Sequence, residues 1–420
     1  MYYYNTMKQI FKILLLILPF SVVSQNVSNS PYSRFGFGEL QSSYSAIHSG
    51  MGEVGVAINS PVGINTLNPA SYAWIYKQRF TMQAGLSHQT NLMETSQASQ
   101  IVNTTKFNFL KMSFPVTRWW GSSFGLLPFS ETAYSFNDVN FSPDATFSFS
   151  GNGGLSRFYF GNGFRPHKNI SFGVNMNYLF GSVETVREVI FDDSSFLNTK
   201  ANEETIINGL HYDFGLIVTQ SFKGWRLNLG ATLDNGSSIN AERNLFTQTF
   251  RLVNFNSVLE DTIQYVQLEK GELALPTSLS YGFSLVNDKW TIAADYQTKN
   301  WNEFSLFGVN DNLQNSNKLS VGAEFIPDIK SINNYSKIIR YRLGFYNSQT
   351  YLNLKNQSLN KYAFTLGLGL PLRRSGALLN MSAQFGRRGT TDNNLIQDSF
   401  VNFKVGFVLS DIWFIKRKFD

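Results

Sequence analysis

The chain has 420 residues, of which 43% are hydrophobic and 15% aromatic, and it contains no cysteine. Only 15% of the residues are charged and the net charge is +6, whereas charged residues make up roughly 25% of ordinary soluble domains. This composition excludes disulfides and thiolate metal sites, does not fit a normal charged surface, and argues against nucleic-acid binding because the basic residues form no blocks.

The first residues have the pattern of a secretory signal peptide. Lys8 and Lys12 precede a short apolar run at 13–20, and Val22 and Ser24 fit positions −3 and −1 of a cleavage site before Gln25. The run is well short of the roughly 20 residues that a spanning helix needs. We predict a signal peptide at 1–24.

Residues 25–78 lack regular alternation and are rich in glycine and proline. Gly50, Gly52 and Gly55 form one cluster, and Asn68-Pro69-Ala70 follows shortly before the first predicted strand. Because Asn-Pro starts turns for local reasons alone, the second motif is by itself also compatible with an ordinary turn. We predict a compact, irregular segment here.

From residue 79 to about 410, apolar and polar residues alternate in segments of about ten, the length with which a tilted strand crosses a bilayer. In the clearest segment, 170–181, Phe172 and Val174 share one face while Asn175 and Asn177 share the other. The pattern predicts fourteen strands, near 79–89, 104–115, 119–129, 154–162, 169–181, 208–221, 224–233, 276–286, 289–297, 316–326, 338–347, 361–370, 376–387 and 398–409.

The even strand number and the alternation of short and long connections indicate an all-β fold, a closed, antiparallel, up-and-down transmembrane β-barrel. In such barrels the long loops face outside. We therefore expect residues 90–103, 182–207 and 234–275 to be external loops, both termini to be periplasmic, and 411–420 to form a basic periplasmic tail after a barrel at 79–410.

Two stretches before the first strand, Ser49–Ala57 and Asn65–Ser71, resemble the hatch of the FadL-like family of outer-membrane proteins. The resemblance implies a fourteen-stranded barrel whose lumen is plugged by residues 25–78, with Gly50, Gly52, Gly55, Asn68, Pro69 and Ala70 as the hatch motif. The stretches 29–36 and 413–418 look like the Bacteroidota branch of that family, which also includes PorV-like barrels of type IX secretion.

Several charged residues lie on polar strand faces and are expected to meet inside the barrel. They are Asp213, Arg226, Asp295, Glu324, Arg340, Arg342 and Lys404. The pattern favours a lumen network that balances opposite charges over a substrate-binding role.

The sequence offers no sign of catalysis. The histidines at 48, 88, 167 and 211 lack ligand spacing, and there is no nucleophile elbow, phosphate loop or recognisable pair of catalytic carboxylates. We predict no catalytic residue, no metal and no cofactor.

Two functions remain open for an outer-membrane barrel of this kind. The first is a passive channel for hydrophobic small molecules, in which the hatch blocks the lumen and the substrate leaves sideways through the wall. The second is a non-catalytic subunit or scaffold of an outer-membrane machine for protein secretion or barrel assembly. The expected partners are outer-membrane lipid, a hydrophobic small molecule and subunits of such a machine.

Overall fold

A computed structural model of the chain describes residues 30–41, 43–142, 144–253, 256–372 and 376–413. The predicted signal peptide at 1–24, the start of the predicted hatch at 25–29, and 414–420 of the predicted tail lie outside these ranges. The strands are β1 (Glu39–Leu40), β2 (Arg79–Glu94), β3 (Ser99–Pro115), β4 (Trp120–Ser142), β5 (Ala145–His167), β6 (Ile170–Phe191), β7 (Asn198–Phe222), β8 (Trp225–Asp234), β9 (Ser238–Val253), β10 (Asn256–Ala274), β11 (Ser278–Val286), β12 (Trp290–Lys299), β13 (Ser305–Leu306), β14 (Ser316–Phe325), β15 (Arg340–Leu354), β16 (Gln357–Pro371), β17 (Leu378–Arg388) and β18 (Gln397–Ile412).

Helical structure in the described ranges is limited to short turns. They are α-helical at Ala46–Ser49 and Tyr335–Ile338, and 3-10 at Pro31–Arg34, Pro69–Trp74, Trp301–Glu303 and Asp392–Asn394. The turn after Asn68 starts there because the Asn68 side chain accepts the Ala70 N–H at 3.0 Å and Pro69 needs no donor partner at the first helical position. None of these helices is long and apolar enough to cross a membrane.

Fourteen of the strands form one closed antiparallel barrel. Neighbours in chain order pair from β2 to β8, then β8 pairs with β11, β11 with β12, β12 with β14, and the order continues to β18. β18 closes the ring against β2, from Gln397 opposite Glu94 to Ile412 opposite Arg79. The predicted fold class and all fourteen predicted strands are thus confirmed.

The predicted external loops are mostly strand. β6 continues to Phe191 and β7 already begins at Asn198, while β9 and β10 form an additional hairpin inside 234–275. These extensions continue the hydrogen-bonded ladder of the barrel but no longer alternate between apolar and polar, as expected of strands that extend beyond the lipid. We call this end of the barrel the extended end, and the opposite end, with tight connections such as 223–224 and 287–289, the short-turn end.

The two faces of the wall differ as the sequence predicts. On β6, Phe172 and Met176 are 46% and 42% exposed on the outside, whereas Asn177 is fully buried on the inside. Large apolar side chains also cover the outside of the neighbouring strands, among them Phe214, Leu229, Phe283, Leu343, Phe364 and Phe403. The polar residues face a filled lumen.

We expect Met176→Arg to lower the free energy of unfolding by about 2–4 kcal/mol, because Met176 lies midway along the outward apolar part of β6 and a cation there must enter hydrocarbon. The matched control is Val309→Arg, at an exposed side chain in the connection between β13 and β14, where the change should stay within about 0.5 kcal/mol. Chemical unfolding from lipid vesicles measures both. Equal costs would show that this face of β6 does not contact lipid.

The N-terminal segment, described at 30–41 and 43–78, runs along the inner side of the barrel wall, and its last residues, 76–78, are exposed. The Ser30 N–H donates to the Ala133 carbonyl towards the extended end, and Trp74 Nε1 donates to Ser171 Oγ near the short-turn end. The segment therefore passes along the lumen before it enters β2. The last described residue, Trp413, donates its N–H to the Gln78 carbonyl at the short-turn end.

Candidate functional site

The inner wall carries glycines at several places where the N-terminal segment packs closely against it. A Cβ at Gly344 would overlap the Met51 and Gly52 backbone, and one at Gly230 would overlap the Val56 carbonyl. Gly322 and Gly173 face the backbone of the same segment, and Gly215 faces the Asn68 side chain. Glycine on the polar strand faces thus provides the room in which the segment packs.

The predicted glycine motif forms close wall contacts. A Cβ at Gly50 would come within 2.8 Å of Gly367 Cα. Gly52 has a φ of +66°, a conformation that favours glycine, and its N–H donates to Thr365 Oγ1 at 2.8 Å. These contacts hold the start of the motif against β15 and β16.

Asp295 of β12 holds the end of the glycine motif. Its Oδ2 accepts the Gly55 N–H at 2.6 Å and the Val56 N–H at 2.9 Å. These two N–H groups lie in a turn that forms no strand hydrogen bonds, so without Asp295 they would be buried and unpaired.

The Asn68-Pro69-Ala70 motif fastens the segment to β7. Asn68 Nδ2 donates to the Val56 carbonyl at 2.7 Å and to the Leu216 carbonyl at 3.1 Å. Pro69 and Ala70 pack on Gly173 of β6, and Ala70 is fully buried. The motif therefore does more than form a local turn. It connects the region of Val56 to the region of Asn68, and both to the wall.

The predicted lumen charges form separate groups. Arg342 Nε donates to Glu324 Oε2 at 2.7 Å, and Arg340 Nη1 donates to Glu324 Oε1 at 2.9 Å. Asp295 binds the segment, as described above, and Lys404 Nζ donates to the Tyr44 carbonyl at 3.4 Å.

The remaining two lie elsewhere on the wall. Arg226 sits over the Trp74 ring near the short-turn end, 5.8 Å from its centroid, and Asp213 contacts His211 and Arg157. Only Glu324, Arg340 and Arg342 are brought together.

The structure adds two ion pairs between segment and wall. Glu53 pairs with Lys318 of β14, and Glu39 pairs with Arg388 of β17 at 2.6 Å. The sequence held one sign of the first pair, the acidic residue Glu53 inside the glycine motif, because a buried carboxylate requires a partner. Its partner lies far along the chain, so alternation alone could not identify it.

A cavity of about 340 Å³ remains in the lumen beside the segment. Its wall combines aromatic and aliphatic side chains with charged ones. The first group includes Leu40, Phe129, Trp301 and Tyr351, and the second includes Arg157, Asp213, Asp234, Lys318 and Arg388.

The wall next to this cavity is interrupted. β3 and β4 pair only from Leu110 opposite Leu126 to Pro115 opposite Gly121, although both strands continue for many residues towards the extended end. Pro128, just beyond the last pair, has no N–H to donate, and a bulge follows it at 128–130. We call the unpaired region between 99–109 and 127–142 the β3–β4 gap.

The N-terminal segment crosses the inner side of this gap. β1 pairs with β4, with Glu39 opposite Glu131 and Leu40 opposite Ser130. From the other edge, Lys106 of β3 pairs with Glu131 and donates to Gln41 Oε1 at 2.9 Å. A three-residue strip of the segment and one ion pair thus replace a strand ladder.

An aromatic cluster lies above the cavity towards the extended end. Phe37 stacks on Phe129 with ring centroids 5.6 Å apart and contacts Trp301 and Phe304 at 6.3 and 5.7 Å. Trp301 is 2% exposed and stacks on Tyr351. Phe129, Trp301 and Tyr351 of this cluster form part of the cavity wall.

Comparison with known proteins gives one family and one fold. A family model described as BamG matches residues 6–420, and no curated protein sequence matches the chain.

Among solved structures, a Pseudomonas aeruginosa FadL homologue is similar with a TM-score of 0.59 at 11% identity, covering 90% of this chain and 100% of that one. The Pseudomonas putida toluene transporter TodX gives 0.57 at 14% identity, covering 89% and 99%. The Ralstonia pickettii toluene transporter TbuX gives 0.56 at 14% identity, covering 87% and 98%. At these identities the likeness concerns the fold alone, and it confirms the predicted FadL-like barrel.

Proposed function

The chain belongs to the BamG family, and we propose that it is a passive outer-membrane conduit from which hydrophobic small molecules pass sideways into the bilayer. The observation that carries this proposal is the β3–β4 gap, which lies beside a partly aromatic cavity and is bounded on the outside by exposed apolar residues such as Ile101 and Phe107. Structural neighbours described as toluene transporters support the choice of ligand class.

In this proposal, residues 25–78 act as a plug between the two ends of the lumen and 79–410 form the conduit wall. The hatch-motif contacts and the Glu324 ion pairs keep the plug seated, and movement of β1 alone opens the gap. The short-turn end faces the periplasm, in keeping with short periplasmic turns in such barrels. Membership of a PorV-like branch stays a prediction.

A single cysteine in the gap tests this route, because the chain has none of its own. We expect Lys106→Cys to permit uptake of toluene by intact cells, and reaction of the new thiol with a bulky maleimide to reduce the uptake at least tenfold. The uptake rate of labelled toluene is the measurement.

Asp288→Cys is the control, since Asp288 is exposed in the tight turn between β11 and β12 at the short-turn end. Maleimide reaction there should leave uptake unchanged. If reaction at the gap slows uptake no more than reaction at the turn, lateral passage through the gap is excluded.

A second candidate, a subunit of an outer-membrane machine, is favoured by β10. This strand pairs with β9 along its length but with β13 only at Leu273 and Ala274, so most of its other edge has no partner within the described residues. Leu259, Ile263 and Tyr265 are 56–62% exposed on it. Unpaired apolar edges invite pairing with another chain.

The two candidates predict different results for one variant. Leu259→Lys combined with Ile263→Lys should remove stoichiometric partners from a purification in mild detergent if β10 joins a machine, and should leave toluene uptake unchanged if the barrel is a conduit. Absence of stoichiometric partners from the wild-type purification would count against the subunit role.

A further inference from the structure

A histidine and two aspartates meet on the inner wall beside the cavity. His211 and Asp213 are two residues apart on β7, so both point into the lumen, and Asp234 of β8 is the direct register partner of Asp213. His211 Nε2 lies 2.9 Å from Asp213 Oδ1 and 3.4 Å from Asp234 Oδ1. One nitrogen therefore faces two carboxylate oxygens.

We propose that His211, Asp213 and Asp234 bind one divalent transition-metal cation of the zinc type. Zn²⁺ takes nitrogen and carboxylate ligands at about 2.0–2.2 Å, which places neighbouring ligand atoms roughly 3–3.5 Å apart. The separation of 3.4 Å falls in this range and that of 2.9 Å lies just below it, and one ligand atom from each residue lies within 4.8 Å of the others. The imidazole favours zinc over the oxygen-seeking Mg²⁺ and Ca²⁺.

The surroundings of Asp213 are those of an oriented metal ligand. Its Oδ1 faces His211, whereas its Oδ2 accepts Asn177 Nδ2 at 3.0 Å and lies 3.8 Å from Arg157 Nη1. One oxygen is held by neighbours and the other is directed at the cluster, the division found where outer partners orient a coordinating carboxylate.

A second observation points to the same place. Asn177 of β6 is the register partner of His211 and is fully buried beside Asp213. Its Oδ1 has no hydrogen-bond partner in the part of the chain that the structure describes. Its Nδ2 donates to Asp213 Oδ2 at 3.0 Å, so the free Oδ1 is a buried acceptor next to the cluster, of the kind that a bound cation can satisfy.

Access and charge also fit a cation. Asp213 and Asp234 line the 340 Å³ cavity, so an ion entering the lumen reaches them without passing through the wall. The two carboxylates carry two negative charges and the nearby guanidinium of Arg157 carries one positive charge, so one negative charge remains for a cation to balance. The sequence did not predict this site because its ligands combine a single histidine with aspartates on two strands.

Calorimetric titration of Zn²⁺ into the tag-free, detergent-purified full chain tests the site after treatment with a chelator. We expect one Zn²⁺ per chain, binding at least tenfold weaker in Asp234→Asn and in His211→Gln, and unchanged binding in His167→Gln, whose side chain is exposed at the turn between β5 and β6. Binding of Ca²⁺ and Mg²⁺ should be weaker than that of Zn²⁺.

A second measurement separates ligation from folding. Zn²⁺ should raise the unfolding midpoint of the wild type and of His167→Gln but not of Asp234→Asn, because a ligand stabilises only the state that binds it. No Zn²⁺ binding by the folded wild type, or an affinity in Asp234→Asn and His211→Gln equal to that of the wild type, would overturn the proposal and leave a plain ion-pair cluster. Tighter binding of Ca²⁺ than of Zn²⁺ would overturn the assigned metal class.

Discussion

Arg342→Leu should lower the free energy of unfolding by about 3–5 kcal/mol, the largest effect expected from a single side chain in this barrel. The Arg342 side chain is 1% exposed and bonds Glu324 at 2.7 Å and Asn380 Oδ1 at 2.9 Å. Its loss leaves Glu324 in the lumen with Arg340 alone. Guanidinium-induced unfolding in lipid vesicles, followed by tryptophan fluorescence, measures the change.

The exposed pair Arg251–Glu260 provides the comparison, because its nitrogen and oxygen lie 3.3 Å apart with side chains 50% and 40% exposed. Arg251→Leu should cost no more than about 1 kcal/mol. Adding Glu324→Leu to Arg342→Leu should restore part of the lost stability, since the charge without a full set of partners is then gone. A small effect of Arg342→Leu, like that of Arg251→Leu, would show that the lumen around Glu324 is filled with water.

Gly344→Ala should displace the N-terminal segment, although it adds one methyl group. The new Cβ would overlap the Met51 and Gly52 backbone, and backbone cannot move aside as a flexible side chain does. Overpacking of this kind costs about 1–3 kcal/mol. We expect higher ion conductance in planar bilayers and new protease cleavage near residues 50–55.

Gly406→Ala is the matched control on β18. Its Cβ would meet the Ala84 carbonyl at 3.5 Å and Ala46 Cβ at 3.7 Å, which is ordinary van der Waals contact. Conductance and cleavage should equal those of the wild type. If the two variants behave alike, the segment does not close the pore, and the plug proposal fails while the barrel fold stands.

The part of the wall in contact with lipid could be predicted from sequence because lipid imposes a simple rule on it. Outward positions such as Phe172 must be apolar and inward ones such as Asn177 need not be, so a period of two marks each strand. Beyond the bilayer the rule ends. Strands β6 and β7 continue there through cross-strand pairs such as Lys200 with Glu188 at 2.9 Å, and these residues look like loop in the sequence.

The types of residue inside the barrel could be predicted from the sequence, but the contacts that each of them makes could not. Glycine on the polar faces indicated limited space, yet only the structure shows that Gly344 and Gly230 face particular residues of the segment. The partners Glu53 and Lys318 are separated by 265 positions, and no local pattern connects them. Pro128 was a readable sign of the β3–β4 gap, because proline inside a strand removes a ladder hydrogen bond.

The path of the N-terminal segment through the ring of strands constrains how the protein can be assembled. Its first described residues lie towards the extended end and its last ones enter β2 at the short-turn end, so a closed wall encircles part of its own chain. Threading this segment through a finished barrel would mean drawing Glu39 and Glu53 past every charged group of the interior. The simpler order is that the sheet curls around a segment already in place, and β18 meets β2 last.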